Sequence, residues 1–71
     1  MTKLPILNGK EIINALKKVG YTHTRQRGSH VRLECPGKKS VTVPNHIVGR
    51  GLLRKILRDA NLTIEEFKRF L

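Results

Sequence analysis

At 71 residues the chain is expected to form one domain, residues 1–71, and a domain of this size buries only about 60% of the surface its unfolded form exposes. That leaves no room for a deep active-site cavity, so chemistry or binding is expected on an open face, which suits large, extended ligands. Lys and Arg number 15 against five Asp and Glu, giving a formal charge of +10 and a pI near 10.8. Such a surface attracts polyanions, nucleic acid foremost, through its phosphates; the same charge also suits an acidic protein partner or an acidic membrane surface. The single cysteine, Cys35, excludes an internal disulfide framework. No Cys and His stand at zinc-ligand spacing, so neither a metal nor another cofactor is expected. The sequence shows no signal-peptide core and nothing near the roughly 20 apolar residues that span a bilayer, and the expected compartment is the cytoplasm.

Taken in chain order, Asn8 with Glu11 three positions on reads as a capping box, and Ile12, Ile13, Leu16 and Val19 recur at helical spacing until Gly20. A first helix is therefore expected over Gly9–Val19, with Lys10, Lys17 and Lys18 on its solvated face. From Tyr21 a β-prone stretch runs to Arg27, followed by a tight turn at Gly28-Ser29. In His30–Glu34 the alternation is clean: Val31 and Leu33 share one face, and His30, Arg32 and Glu34 the other. Pro36-Gly37 fits the centre of a type II turn. Lys39–Val43 reads as the next strand, Val41 and Val43 facing the core and Pro44 ending the ladder. After a loop over Asn45–Gly49, Leu52, Leu53, Ile56, Leu57 and Ala60 form the apolar stripe of a second helix, flanked by Arg50, Arg54 and Arg58. Thr63 and Glu66 form another capping box opening a terminal helix whose Ile64, Phe67, Phe70 and Leu71 are expected to seal the core.

The expected fold class is α+β, a three-stranded antiparallel sheet with helices on one face and the His30, Arg32 face left open. His30 is the sharpest candidate for chemistry. An imidazole can take and give protons, as RNA cleavage requires when a 2′-hydroxyl attacks the adjacent phosphate and a 5′-oxygen leaves. Arg25, Arg27 and Arg32 lie close enough in sequence to hold a phosphate and stabilise its transition-state charge. Gly28 and Ser29 offer a backbone N–H or a hydroxyl beside His30, although turn formation alone also explains them. Ser29 is not expected to be a nucleophile, because no acidic residue stands behind the histidine as a hydrolase triad needs. His46 and the Arg50, Arg54, Arg58 row are further candidates for RNA contact, against the plainer reading of a solvated loop and helix flank. His23 reads as solvated. With two of the three aromatic residues, Phe67 and Phe70, assigned to the closing helix, Tyr21 is left as the one stacking platform.

Four segments together resemble the HicA toxins: Gly20-Tyr21 through Arg25-Gln26-Arg27-Gly28-Ser29-His30, Val41-Thr42-Val43-Pro44-Asn45-His46, Leu53-Arg54-Lys55-Ile56-Leu57, and Glu65-Glu66-Phe67. The resemblance covers nearly the whole chain. It implies a fold like the double-stranded-RNA-binding domain, α-β-β-β-α, and an endoribonuclease cutting messenger RNA, with His30 at the position of the family's catalytic histidine. It also implies a HicB-type antitoxin as partner. The chain departs from the family pattern in reading Arg50-Gly51-Leu52-Leu53 where a threonine often stands, and in placing Val31 and Arg32 after the histidine. Two other readings stay open on the residues alone: a non-catalytic RNA-binding module, and a domain whose charge serves only an acidic protein.

Overall fold

The computed structural model describes residues 6–71; residues 1–5 of the expected domain lie outside the described residues. Helix α1, Gly9–Val19, begins at the expected capping box: the Asn8 side chain accepts from Lys10 N at 3.1 Å, and Asn8 N donates to Glu11 Oε1 at 3.3 Å. Gly20 ends it at φ 127, a conformation open to glycine. Strands β1 (Leu7–Asn8) and β5 (Ile47–Val48) form a small pair, and strands β2 (Thr22–Arg27), β3 (His30–Glu34) and β4 (Val41–Pro44) form one antiparallel sheet in the order β2-β3-β4. Helices α2 (Arg50–Asp59) and α3 (Ile64–Lys68) follow. The fold is the expected α+β, double-stranded-RNA-binding-like arrangement.

Both turns of the sheet behave as their residues dictate. Arg27 pairs with His30, so Gly28-Ser29 is a two-residue hairpin loop, and Gly28 takes φ 60 at its first central position, where a type II′ turn needs glycine. At the second turn Gly37 lies at φ 80 and Lys38 N donates to Cys35 O at 3.0 Å, the closing bond of the Pro-Gly turn.

Val31, Leu33, Val41 and Val43 are buried beneath Ile12 and Leu16 of α1, Leu53, Ile56 and Leu57 of α2, and Phe67 of α3. The opposite face carries His30, Arg32 and Glu34 exposed. One sheet face is thus covered once and the other left open, as the alternation predicts. Lys38 reaches across from the β3–β4 turn, its Nζ donating to Ala60 O at 2.8 Å, which sets a cation on the negative end of α2. At α3 the Thr63 backbone N–H, donating to Glu66 Oε1 at 3.0 Å, and after it the Thr63 side chain lower the ionisation of the Glu66 carboxyl below its ordinary value.

Several expectations are corrected. The strand expected over Lys39–Val43 is Val41–Pro44. Residues 39 and 40 stay outside the ladder, and Lys39 O instead accepts the Tyr21 hydroxyl at 2.9 Å. Pro44 continues the ladder opposite His30, which a proline tolerates because β4 is an edge strand. The expected loop over Asn45–Gly49 contains strand β5, Ile47–Val48, paired antiparallel with β1, Leu7–Asn8. Leu52, expected in the apolar stripe, is 38% exposed, and Leu71 is 50% exposed rather than sealing the core.

Tyr21 is the largest correction for function. It is buried, not a stacking platform. Burial foremost, with Cys35 and Asp59 nearby, raises its ionisation above the ordinary tyrosine value. A raised folded value means that stability from the neutral phenol is complete below the ordinary range and is lost as pH rises through the folded one. Because this is the sole tyrosine and there is no tryptophan, its ultraviolet absorbance reports it cleanly. In an alkaline titration tyrosinate is expected at higher pH in the folded chain than in urea; coincident curves would contradict the burial.

Candidate nucleic-acid interface

The hairpin turn fixes which side chains share the open face. Cross-strand partners lie on one face of an antiparallel pair, and Arg27 is opposite His30, Arg25 opposite Arg32, and Thr42 opposite Arg32 on the other side. Arg25, Arg27, His30 and Arg32 therefore stand together on the uncovered face, all exposed. His30 makes no side-chain hydrogen bond to the described residues, so both ring nitrogens are open to a ligand. Arg32 is directed away from the histidine, its Nη2 donating to Ser40 Oγ at 3.0 Å and its Nε 3.9 Å from Glu34 Oε2. Both groups of that ion pair are about half exposed, and such a pair contributes little to stability.

The start of β3 is pinned to the segment after β4. Asn45 N donates to Ser29 O, and Gly9 N donates to His46 O at 2.8 Å, so the Asn45-His46 backbone is clamped between the hairpin turn and the start of α1. His46 Nδ1 lies 2.9 Å from Ile47 O. A carbonyl only accepts, so Nδ1 carries a proton, and in the neutral ring Nε2 is left as an acceptor. Ser29 is exposed in the turn.

Not every sequence candidate joins this face. Helix α2 lies on the covered side of the sheet. Its Leu52, Lys55 and Asp59 flank lines a cleft against β4, and at 100° per residue Arg50, Arg54 and Arg58 fall on the other flank. Arg54 and Arg58 are thus exposed in the helix layer and are not part of the His30 face. Gly49 caps α2 without a side-chain hydrogen bond, and the first turn holds no acidic residue.

A second basic surface was not legible in the sequence. A bulge at Thr24, whose Oγ1 donates to Arg32 O at 3.4 Å, shifts the pairing between His23 and Arg25. It places His23 opposite Leu33 and Gln26 opposite Val31, on the side of the sheet facing α1. There they face Lys10, Asn14 and Lys17 across an open groove of about 220 Å³, with the buried Ile13 and Val31 at its base and Asn45 also lining it. The available signal was the lack of apolar residues in Thr22–Arg27 at the positions where β3 has Val31 and Leu33. Among the described residues no three His, Cys, Asp or Glu side chains gather as a metal site, and no helix is long and apolar enough to cross a membrane.

A helix, a three-stranded antiparallel sheet and a helix, with one basic sheet face left open around a histidine, define a small double-stranded-RNA-binding-like domain. Residues 9–62 match the profile described as HicA toxin of bacterial toxin-antitoxin, and the chain belongs to the HicA toxin family. The matched span contains every candidate site residue and the whole groove. The fold is also similar to a chain of a toxin-antitoxin complex from Streptococcus pneumoniae, with a TM-score of 0.72 and 29% identity, covering 82% of this chain and 100% of that one. No curated protein sequence matches.

Proposed function

We propose that the chain is an endoribonuclease toxin that cleaves messenger RNA without a metal, His30 serving as general acid or base, and that a HicB-type antitoxin inhibits it. The observation that carries this reading is the exposed His30, with no side-chain hydrogen bond among the described residues, standing among Arg25, Arg27 and Arg32 on the open sheet face of a HicA-family domain. In this reading Arg25 and Arg27 hold the scissile phosphate, and the Gly28-Ser29 turn offers an N–H or a hydroxyl beside it. The 2′-hydroxyl attacks phosphorus, its proton goes to one base, and the leaving 5′-oxygen takes a proton from one acid. His46, with Nε2 open and its backbone clamped beside the hairpin turn, is the group proposed for the transfer that His30 does not perform. Arg50 and Arg54 add affinity along the RNA outside the reacting face. An antitoxin with an acidic surface complements the +10 charge.

The test is incubation of purified protein with a long transcript in EDTA, followed by end-group analysis. Fragments ending in a 2′,3′-cyclic phosphate are expected. Products bearing a 5′-phosphate would argue for attack by an activated water instead, and no cleavage under any condition would favour a second reading, a non-catalytic RNA-binding module. One observation supports that second reading: no described side chain hydrogen-bonds His30 to orient it for catalysis.

A further inference from the structure

The groove between α1 and β2 has a composition that the fold does not require. Core-facing strand positions normally hold apolar residues, yet β2 presents His23 and Gln26 there, and α1 answers with Lys10, Asn14 and Lys17. Lys10 stands in the first turn of α1, where the positive end of the helix dipole disfavours a cation. Lys10 and Lys17, about two turns apart on the same side of α1, add like charge beside a histidine in a chain already at +10. Each feature opposes folding slightly and each favours an anion.

The remaining features narrow the ligand. The base of the groove is apolar, Ile13 and Val31, and its rim carries the amides of Asn14, Gln26 and Asn45. An apolar floor with convergent donors and acceptors suits a flat heterocycle whose edge is polar. At about 220 Å³ the groove has room for a single base. With Tyr21 and Phe67 buried, the exposed ring here is the imidazole of His23, a side chain on which bases stack.

We propose that the groove between α1 and β2 is a nucleobase-recognition subsite for single-stranded RNA, His23 stacking on one base, Asn14, Gln26 and Asn45 reading its edge, and Lys10 and Lys17 holding the flanking phosphates. The proposal rests on the RNA-cleaving reading for its purpose, since it supplies the sequence preference of the cut. Gln26 in the groove adjoins Arg27 on the open face, and Asn45 follows Pro44, the partner of His30. An RNA strand that rounds the hairpin tip therefore meets the reacting face and the reading groove in succession. Gln26 is also held in place, its Nε2 donating to Gly28 O at 3.1 Å, which leaves its oxygen to accept from a base.

The test uses the full chain carrying His30→Ala, labelled with 15N and titrated with four five-residue RNA homopolymers of A, C, G and U. Amide shifts at Lys10, Asn14, Lys17, His23, Gln26 and Asn45 are expected, with affinities that differ about tenfold or more between bases. His23→Ala, added to that chain, should weaken binding of the preferred base about tenfold. Asn14→Ala, a helix-favouring change at an exposed site, should narrow the spread among bases, and Lys10→Ala should weaken all four alike and reduce the salt dependence. Silent groove amides, or four equal affinities unmoved by Asn14→Ala, overturn the proposal even if the unmodified chain cuts RNA. Groove shifts with base preference uphold it even if that chain cuts nothing, in which case the cleavage reading alone fails.

Discussion

His30→Ala is expected to reduce transcript cleavage by about 10²- to 10⁴-fold, the range a positioned general acid or base contributes, while leaving RNA affinity and folding nearly unchanged. The separation of these effects follows from where the side chain sits. It is exposed and makes no hydrogen bond to the described residues, so its removal leaves neither a cavity nor an orphaned polar group; surface changes of this kind fall within about 0.5 kcal/mol. The phosphate contacts proposed for Arg25 and Arg27 are untouched by the change, so binding is expected to persist. Arg27→Ala makes the complementary case: weaker binding with a shallower salt dependence, and a smaller loss of turnover at saturating RNA. The measurement is cleavage rate at saturating RNA beside binding by anisotropy and thermal melting, on proteins purified identically. Equal cleavage by the unmodified chain and His30→Ala would assign the activity elsewhere.

Gly9→Ala is expected to destabilise the domain by about 3 kcal/mol, the upper part of the range for overpacking a filled site. A Cβ at residue 9 would stand 1.8 Å from Pro44 O, 2.9 Å from Pro44 C and 3.1 Å from Asn45 Cα. All three are backbone atoms, so no side chain can swing aside. Alanine's helix propensity returns only about 1 kcal/mol. The clash also pushes apart the Gly9 N to His46 O bond, which clamps the segment beside His30. For a domain of this size the loss corresponds to a melting temperature lower by roughly 10 °C or more. Gly51→Ala supplies the control: it is helical, nothing among the described residues lies within 4 Å of its added Cβ, and the change should stabilise by up to about 1 kcal/mol. Two Gly→Ala changes of the same sign in a melting experiment would contradict the close approach of α1 to Pro44.

What the sequence could show and what it could not divide along the range of the interactions. Both capping boxes, the Gly20 stop and the two turns are local, fixed by residues no more than four apart, and each stands where its residues indicate. The alternation in His30–Glu34 is equally local, and with the two-residue turn it settles that Arg25, Arg27, His30 and Arg32 share a face. Family membership was also legible, because its segments are linear motifs.

The rest needed tertiary structure. The burial of Tyr21, the pairing of Ile47–Val48 with Leu7–Asn8 and the contact of Gly9 with Pro44 join residues 18 to 41 positions apart, and no periodicity encodes such meetings. The bulge at Thr24 is the sharpest case. Regular alternation would put His23 on the face of Arg25 and Thr24 on that of Gln26; one extra residue reverses both. The sequence by itself determined that this chain carries a histidine among arginines on an open sheet. Only the packing of α1 beside a bulged edge strand decided that a second polar groove lies behind it, because a one-residue change of register exchanges the two faces of a strand.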